Sequence, residues 1–182
     1  PVIGIDLDNT LATYDELLNR LAVERGLIQP SSKMGKKAVR DAIRHLPEGE
    51  VEWQKLQGLM YGPRMGEACL DPDAKAFLNL CRRNGAKICI ISHKTEFANY
   101  DDTRTNLRQA AMQWMSNNGF FDPGGLGLSK EDVTFVGTRQ EKIETINHLG
   151  CTHFVDDLEE VFTEQSFPPQ VQKILFASHN GG

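Results

Sequence analysis

A chain of 182 residues, 40% of them hydrophobic, is long enough to bury one sizeable core with at most a small second subdomain on it. Its formal net charge of −5 gives no overall basic field for a nucleic-acid backbone, which argues against a general nucleic-acid binder. The cysteines Cys69, Cys81, Cys89 and Cys151 are scattered, with no C-x-x-C pair, so neither a zinc site nor a disulfide framework is indicated and all four read as reduced, mostly buried thiols.

The chain opens on PVIGIDLDNT, without the basic start and long apolar stretch of a secretory signal. No later run approaches the length of a membrane span. A soluble cytoplasmic protein is the expectation. Val2–Ile5 is a short apolar run and reads as a buried strand. Just past it stand Asp6 and Asp8, and alternation along an extended chain points both carboxylates the same way. Two like charges that close call for a cation, and a hard divalent ion with oxygen ligands, Mg²⁺ in particular, offsets the repulsion. A strand-ending turn is the ordinary alternative, because Asp and Asn are common there.

From residue 15 to residue 70 helical periodicity continues (Leu17, Leu18, Leu21; Val39, Ile43, Leu46; Val51, Leu56, Leu59) with no strand between. This predicts a small helical insertion after the first strand, projecting over the edge of the sheet where ligands bind in open α/β folds, in the manner of a lid. Lys33, Lys36, Lys37, Arg40 and Arg44 form either a basic face or a solvated helix surface, and charged residues usually remain exposed. Trp53, Tyr61 and Met65 at this spacing read as core packing.

Asp71-Pro72 predicts a helix start and Gly85 its end. A second apolar strand follows over 86–91, and Ser92 closes it with a hydroxyl and a backbone N–H, both donors to phosphate oxygens. His93, Lys94 and Thr95 come next, and they read either as residues that reach a bound ligand's leaving group or equally as loop residues with no ligand role. Asp122-Pro-Gly-Gly-Leu-Gly precedes a strand instead of joining a strand to a helix, so it reads as a surface turn and not as a phosphate-cradling loop. Val133–Val136 is a third strand. Thr138 with Glu141 is a capping-box pattern and Gly150 the matching stop, which puts Lys142 in the first turns of a helix. A fourth strand over 153–155 delivers Asp156 and Asp157, the latter also a plausible N-cap for a short helix; 173–176 adds a fifth. If the first and fourth strands are neighbours, three or four carboxylates converge, which is costly without a metal. His45, His148, His153 and His179 show no ligand spacing.

The ordered set Asp6-x-Asp8-x-Thr10, Ser92, Lys142 and Asp156-Asp157 resembles the haloacid dehalogenase (HAD) superfamily over nearly the whole chain. One departure is Val155, where many members place glycine before the last acidic motif. The resemblance implies an α/β fold, a Rossmann-like three-layer parallel sheet with the fourth and fifth strands beside the first. It divides the chain into a core of 1–14 and 71–182 and a small helical cap of 15–70. It implies a Mg²⁺-dependent phosphatase in which Asp6 is the nucleophile that becomes an aspartyl-phosphate and Asp8 the acid/base. Ser92 and Lys142 hold the phosphoryl group, with Arg139 as a substitute for Lys142, and Thr10, His93 and Lys94 lie near the substrate. The metal falls to Asp6, the Asp8 backbone carbonyl, Asp156 and Asp157. The expected substrate is a small phosphorylated metabolite, a sugar phosphate or nucleoside monophosphate, with no membrane partner. Two other readings remain from the residues alone: a phosphotransferase, and a non-catalytic phosphate-binding or phosphoacceptor domain. Response-regulator receivers, which supply the phosphoacceptor precedent, place that aspartate on a middle strand, whereas here D-x-D-x-T follows the first.

Overall fold

A computed structural model describes residues 1–30 and 34–177. Lys33 of the basic helical stretch and His179 lie outside the described residues. The described residues divide into two compact units, one of residues 1–13, 70–95 and 115–177, the other of 14–30, 34–69 and 96–114.

The first unit is built on a five-stranded sheet. Its strands are β1 (Val2–Ile5), β4 (Lys87–His93), β5 (Val133–Val136), β6 (His153–Asp156) and β7 (Gln172–Leu175), in the order β5-β4-β1-β6-β7. Every pairing is parallel, so each connection crosses over and helices cover both faces of the sheet, giving an α/β, Rossmann-like fold. The fourth sheet strand lies directly against the first, as expected. The fifth lies beyond it at the edge, and the second takes the other side of β1. Two short strands, β2 (Ala12–Thr13) and β3 (Cys69–Leu70), stand where the chain leaves and re-enters this unit, and the amide of Asp71 donates to the carbonyl of Leu11 at 2.8 Å.

Local sequence chemistry sets the crossovers. Helix α4 (Pro72–Arg83) starts at Asp71, whose carboxylate accepts from the amides of Asp73 and Ala74, each at 2.9 Å. Helix α6 (Arg139–His148) starts with a complete Thr138–Glu141 capping box. Gly85 and Gly150 follow these helices at φ of 71° and 66°, where a side chain would be strained. On the α6 side of the sheet, Cys89, Ile91, Ile143, Ile146, Phe154, Phe162 and Phe167 form one apolar cluster. Gly4 sits in its middle strand, and a Cβ there would lie 2.6 Å from a Phe154 ring carbon and 2.8 Å from the Cys151 sulfur. The Asp122–Gly127 segment is a turn as expected; Arg82 fastens it by donating to the carbonyls of Pro123 and Gly125.

Burial of the cysteines is only half as expected. Cys89 and Cys151 are buried and touch each other at 3.7 Å, but Cys69 is exposed and Cys81 partly so, because they lie at the ends or outer faces of their elements. Asp157 is not a helix cap either. Helix α7 (Glu159–Thr163) begins after Leu158, whose amide donates to Asp156 Oδ1 at 2.9 Å, so the carboxylate two residues back satisfies that turn.

The second unit is helical, with α1 (Asp15–Glu24), α2 (Lys36–Arg44), α3 (Gly49–Tyr61) and the start of α5 (Leu107–Asn117). Leu17, Leu18, Leu21, Val39, Ile43 and Leu56 are buried, as the periodicity predicts; Leu46 lies past the end of α2 and is exposed. Trp53 and Met65 are buried, and Tyr61 packs edge-on against Tyr14 with ring centroids 5.0 Å apart. These aromatics are packing residues. Residues 96–114 also belong to this unit: the Trp114 indole donates to the Ala68 carbonyl at 2.9 Å and Asn99 donates to Gln54. Two residues of the basic stretch are locally neutralised, Arg40 by Asp41 and Arg44 by Glu50. Among the described residues no helix is long and apolar enough to cross a membrane.

Candidate functional site

Register explains why residues far apart in the chain meet. Ile5 pairs with Ile90 on one side and Val155 on the other, and the amide of Asp6 extends the ladder by donating to the Val155 carbonyl at 2.9 Å. Asp6 continues the alternation of Val2 and Gly4, and Asp156 that of Phe154. Both carboxylates therefore emerge on the α6 side of the sheet. Asp6 is 6% exposed and Asp156 is fully buried.

One carboxylate oxygen from each of Asp6, Asp156 and Asp157 lies within 4.8 Å of the others. Lys142, 3% exposed on the second turn of α6, donates to Asp6 Oδ1 at 2.8 Å and to Asp156 Oδ2 at 2.6 Å. Its direction follows from helix geometry, because long side chains lean toward the N-terminus of their helix and so toward the strand ends. Lys142, not Arg139, contacts the acidic cluster: Arg139 is paired with Glu164 at 3.0 Å on the surface.

Burial pushes the Asp6 carboxyl up to about 7; the Lys142 ammonium pulls it down and the Asp156 charge pushes it up again. Lys142 is itself held above its ordinary value, because the two carboxylates outweigh the burial that would lower it. The sign of the linkage follows. A folded-state value raised above the unfolded one near 4 contributes stability that is fully present below that lower value and is lost as pH rises through about 7. In chelator, the urea midpoint of the wild type is therefore expected to fall from pH 5 to pH 8 more than that of Asp6→Asn. Parallel pH profiles for the two proteins would contradict the burial of an ionising Asp6.

The other residues singled out in the sequence lie at the same strand ends or on the loops that follow them. Ser92 pairs in register with Phe135 at the end of β4 and is 1% exposed. Its hydroxyl is the one buried side-chain polar atom, among the described residues, with no hydrogen-bond partner. Buried orphans of this kind are uncommon in folded proteins, and a hydroxyl so placed is suited to a catalytic or ion-binding role. Thr10 is fully buried and donates to Asp157 Oδ1 at 3.4 Å, so beyond its place in the turn it reaches the second acidic pair. His93 points to the exposed side of the strand end. Lys94 is 4% exposed, with Nζ 2.8 Å from Asp8 Oδ2. Sequence reasoning placed Lys94 beside the site as a loop residue and missed the ion pair; the only signal was that Lys94 shares the parity of Ser92. No described histidine joins the acidic group.

No protein-family model matches the chain, and no curated protein does. Solved structures do. A Bacteroides fragilis protein described as a haloacid dehalogenase-like hydrolase aligns over 88% of this chain and 80% of its own, at 16% identity and a TM-score of 0.48. The structure of DsGPDH of Dunaliella salina aligns over 94% of this chain and 30% of its own, at 12% identity and a TM-score of 0.45. The chemistry of the site follows from its own residues.

Those residues fit a small hard cation. In an octahedral shell about 2.1 Å from Mg²⁺, neighbouring ligands stand about 3 Å apart and opposite ones about 4.2 Å, so carboxylate oxygens within 4.8 Å are near enough to close on one ion by side-chain rotation. The donor set is all oxygen, as that ion prefers.

Proposed function

We propose that the chain is a Mg²⁺-dependent phosphomonoesterase of the haloacid dehalogenase type, acting on a small phosphorylated metabolite such as a sugar phosphate or nucleoside monophosphate. The observation that carries the reading is the pairing of a three-carboxylate cluster with a buried, partnerless serine hydroxyl at the same strand ends. An acidic cluster alone serves many purposes. Acceptors for a cation at the same rim of the sheet as an unsatisfied donor for an anion suit a metal–phosphate pair.

In this reading Mg²⁺, held by the Asp6 carboxylate, the Asp8 backbone carbonyl, Asp156 and Asp157, supplies positive charge against the phosphoryl oxygens. The protein's own groups do the rest. Asp6 attacks phosphorus in line: the Asp6 oxygen–phosphorus bond forms as the ester oxygen–phosphorus bond breaks. Asp8 gives its proton to the departing oxygen and then takes one from the water that hydrolyses the aspartyl-phosphate, splitting one difficult displacement into two easier ones. The Ser92 hydroxyl and Lys142 ammonium donate to equatorial oxygens, where charge is spread in phosphoryl transfer. An acid at Asp8 suits an alkoxide leaving group, whereas a halide needs no proton.

The test is release of inorganic phosphate from a panel of sugar phosphates and nucleoside monophosphates, with Mg²⁺ and with chelator. The expected result is Mg²⁺-dependent release from at least one compact monoester. Transfer to an added alcohol without free phosphate would make the chain a phosphotransferase, and no turnover with retained phosphate binding would make it a binding module.

A further inference from the structure

We infer that Lys94 is a positioning residue for the leaving-group acid: by gripping one oxygen of Asp8 it fixes the rotation of that carboxylate, and it does not bind the substrate. The inference rests on the assignment of Asp8 as acid in the preceding section.

Lysines are seldom buried, because the ammonium loses its water and the stem its rotamer freedom. Lys94 is nonetheless 4% exposed. Its backbone is pinned, since its amide continues the parallel ladder past the end of β4 by donating to the Val136 carbonyl at 3.0 Å. A lysine set into the sheet in this way cannot swing far. Its Nζ reaches Asp8 Oδ2 at 2.8 Å, across to the loop that follows β1.

The Asp8 side needs such a grip. Its loop backbone is already closed: the amides of Leu11 and Ala12 both donate to the Leu7 carbonyl, Asn9 donates to the Ala12 carbonyl, and Asn9 sits at φ 64°. With the main chain fixed, the orientation of the Asp8 carboxylate is set by its side-chain contacts, among them the ion pair with Lys94. An acid must come within hydrogen-bond reach of the departing oxygen, and misplacement by about 1 Å can lower the rate about 10²-fold. Lys142 is already engaged with Asp6 and Asp156. The second buried lysine pairs with Asp8, on the same segment past the end of β1 that carries Asp6.

The experiment compares two ring-bearing monoesters that differ in their demand for a proton. The p-nitrophenolate of p-nitrophenyl phosphate departs as a stable anion, whereas benzyl phosphate releases an alkoxide that must be protonated. For Lys94→Met the expected result is a fall in kcat on benzyl phosphate of about 10- to 100-fold with KM little changed, and a much smaller fall on p-nitrophenyl phosphate. Adding Lys94→Met to Asp8→Asn should lower the residual rate no further, because residues that act as a unit are not additive. Lys94→Gln, which keeps a hydrogen-bond donor to Asp8, should lie between wild type and Lys94→Met, and thermal melting checks that all variants fold. Equal losses on the two esters, a rise in KM alone, no loss, or a further loss in the Asp8→Asn background would overturn the inference. Failure of the phosphatase reading itself shows differently, as phosphate release that persists in Asp6→Asn.

Discussion

Asp6→Asn is expected to reduce phosphate release by about 10⁴-fold or more, since loss of a nucleophile removes the covalent route and not merely one stabilising contact. The fold should survive. Asparagine has the same shape, its carbonyl can still accept from Lys142 where Asp6 Oδ1 does at 2.8 Å, and the substitution removes a charge whose burial is unfavourable. Activity should vanish while the metal-free protein melts no lower than the wild type at neutral pH. A kcat within tenfold of wild type would remove Asp6 from the chemistry.

Lys142→Met is expected to give the largest loss of stability among single changes at the site. The ammonium is buried between Asp6 and Asp156, and breaking a buried pair by removing one partner costs about 3–5 kcal/mol, because the other charge stays buried and unpaired. For a chain of this size that corresponds to a melting point lower by on the order of 10 °C. Mg²⁺ should restore much of the loss, since a cation that binds only the folded state stabilises it by mass action and supplies the charge the lysine no longer does. Melting in chelator within about 2 °C of wild type would show that Lys142 does not carry the charge balance of the cluster.

Much of this arrangement is written locally in the sequence. Asp71-Pro72, the Thr138–Glu141 box, Gly85 and Gly150 are short-range signals, and each marks a helix end in the structure. The cores of β1, β4 and β6 are short apolar runs buried on both faces, which leaves little room for another reading, whereas the edge strands β5 and β7 are more exposed. Because a parallel sheet brings all its strand ends to one rim, residues just past β1, β4 and β6 were bound to share an edge once those strands paired. What the sequence leaves open depends on contacts between distant segments. Nothing in Ser92-His93-Lys94 marks Lys94 as buried, since its partner Asp8 lies on another loop. Lys142 and Arg139 are three residues apart on α6, and only the path of the chain around Glu164 draws Arg139 outward. Nor does periodicity reveal that residues 96–114 join the helical unit, because their ties to Gln54 and Ala68 cross some 45 positions of sequence.

The most direct measurement is the mass of the protein acid-quenched within its first turnovers on a phosphate monoester in Mg²⁺. A covalent mechanism at Asp6 predicts a fraction of the chain heavier by one HPO₃ group, carried on the N-terminal peptide containing Asp6 and absent from Asp6→Asn. Phosphate release with the adduct mapped to any other residue, or continuing undiminished in Asp6→Asn, would contradict it.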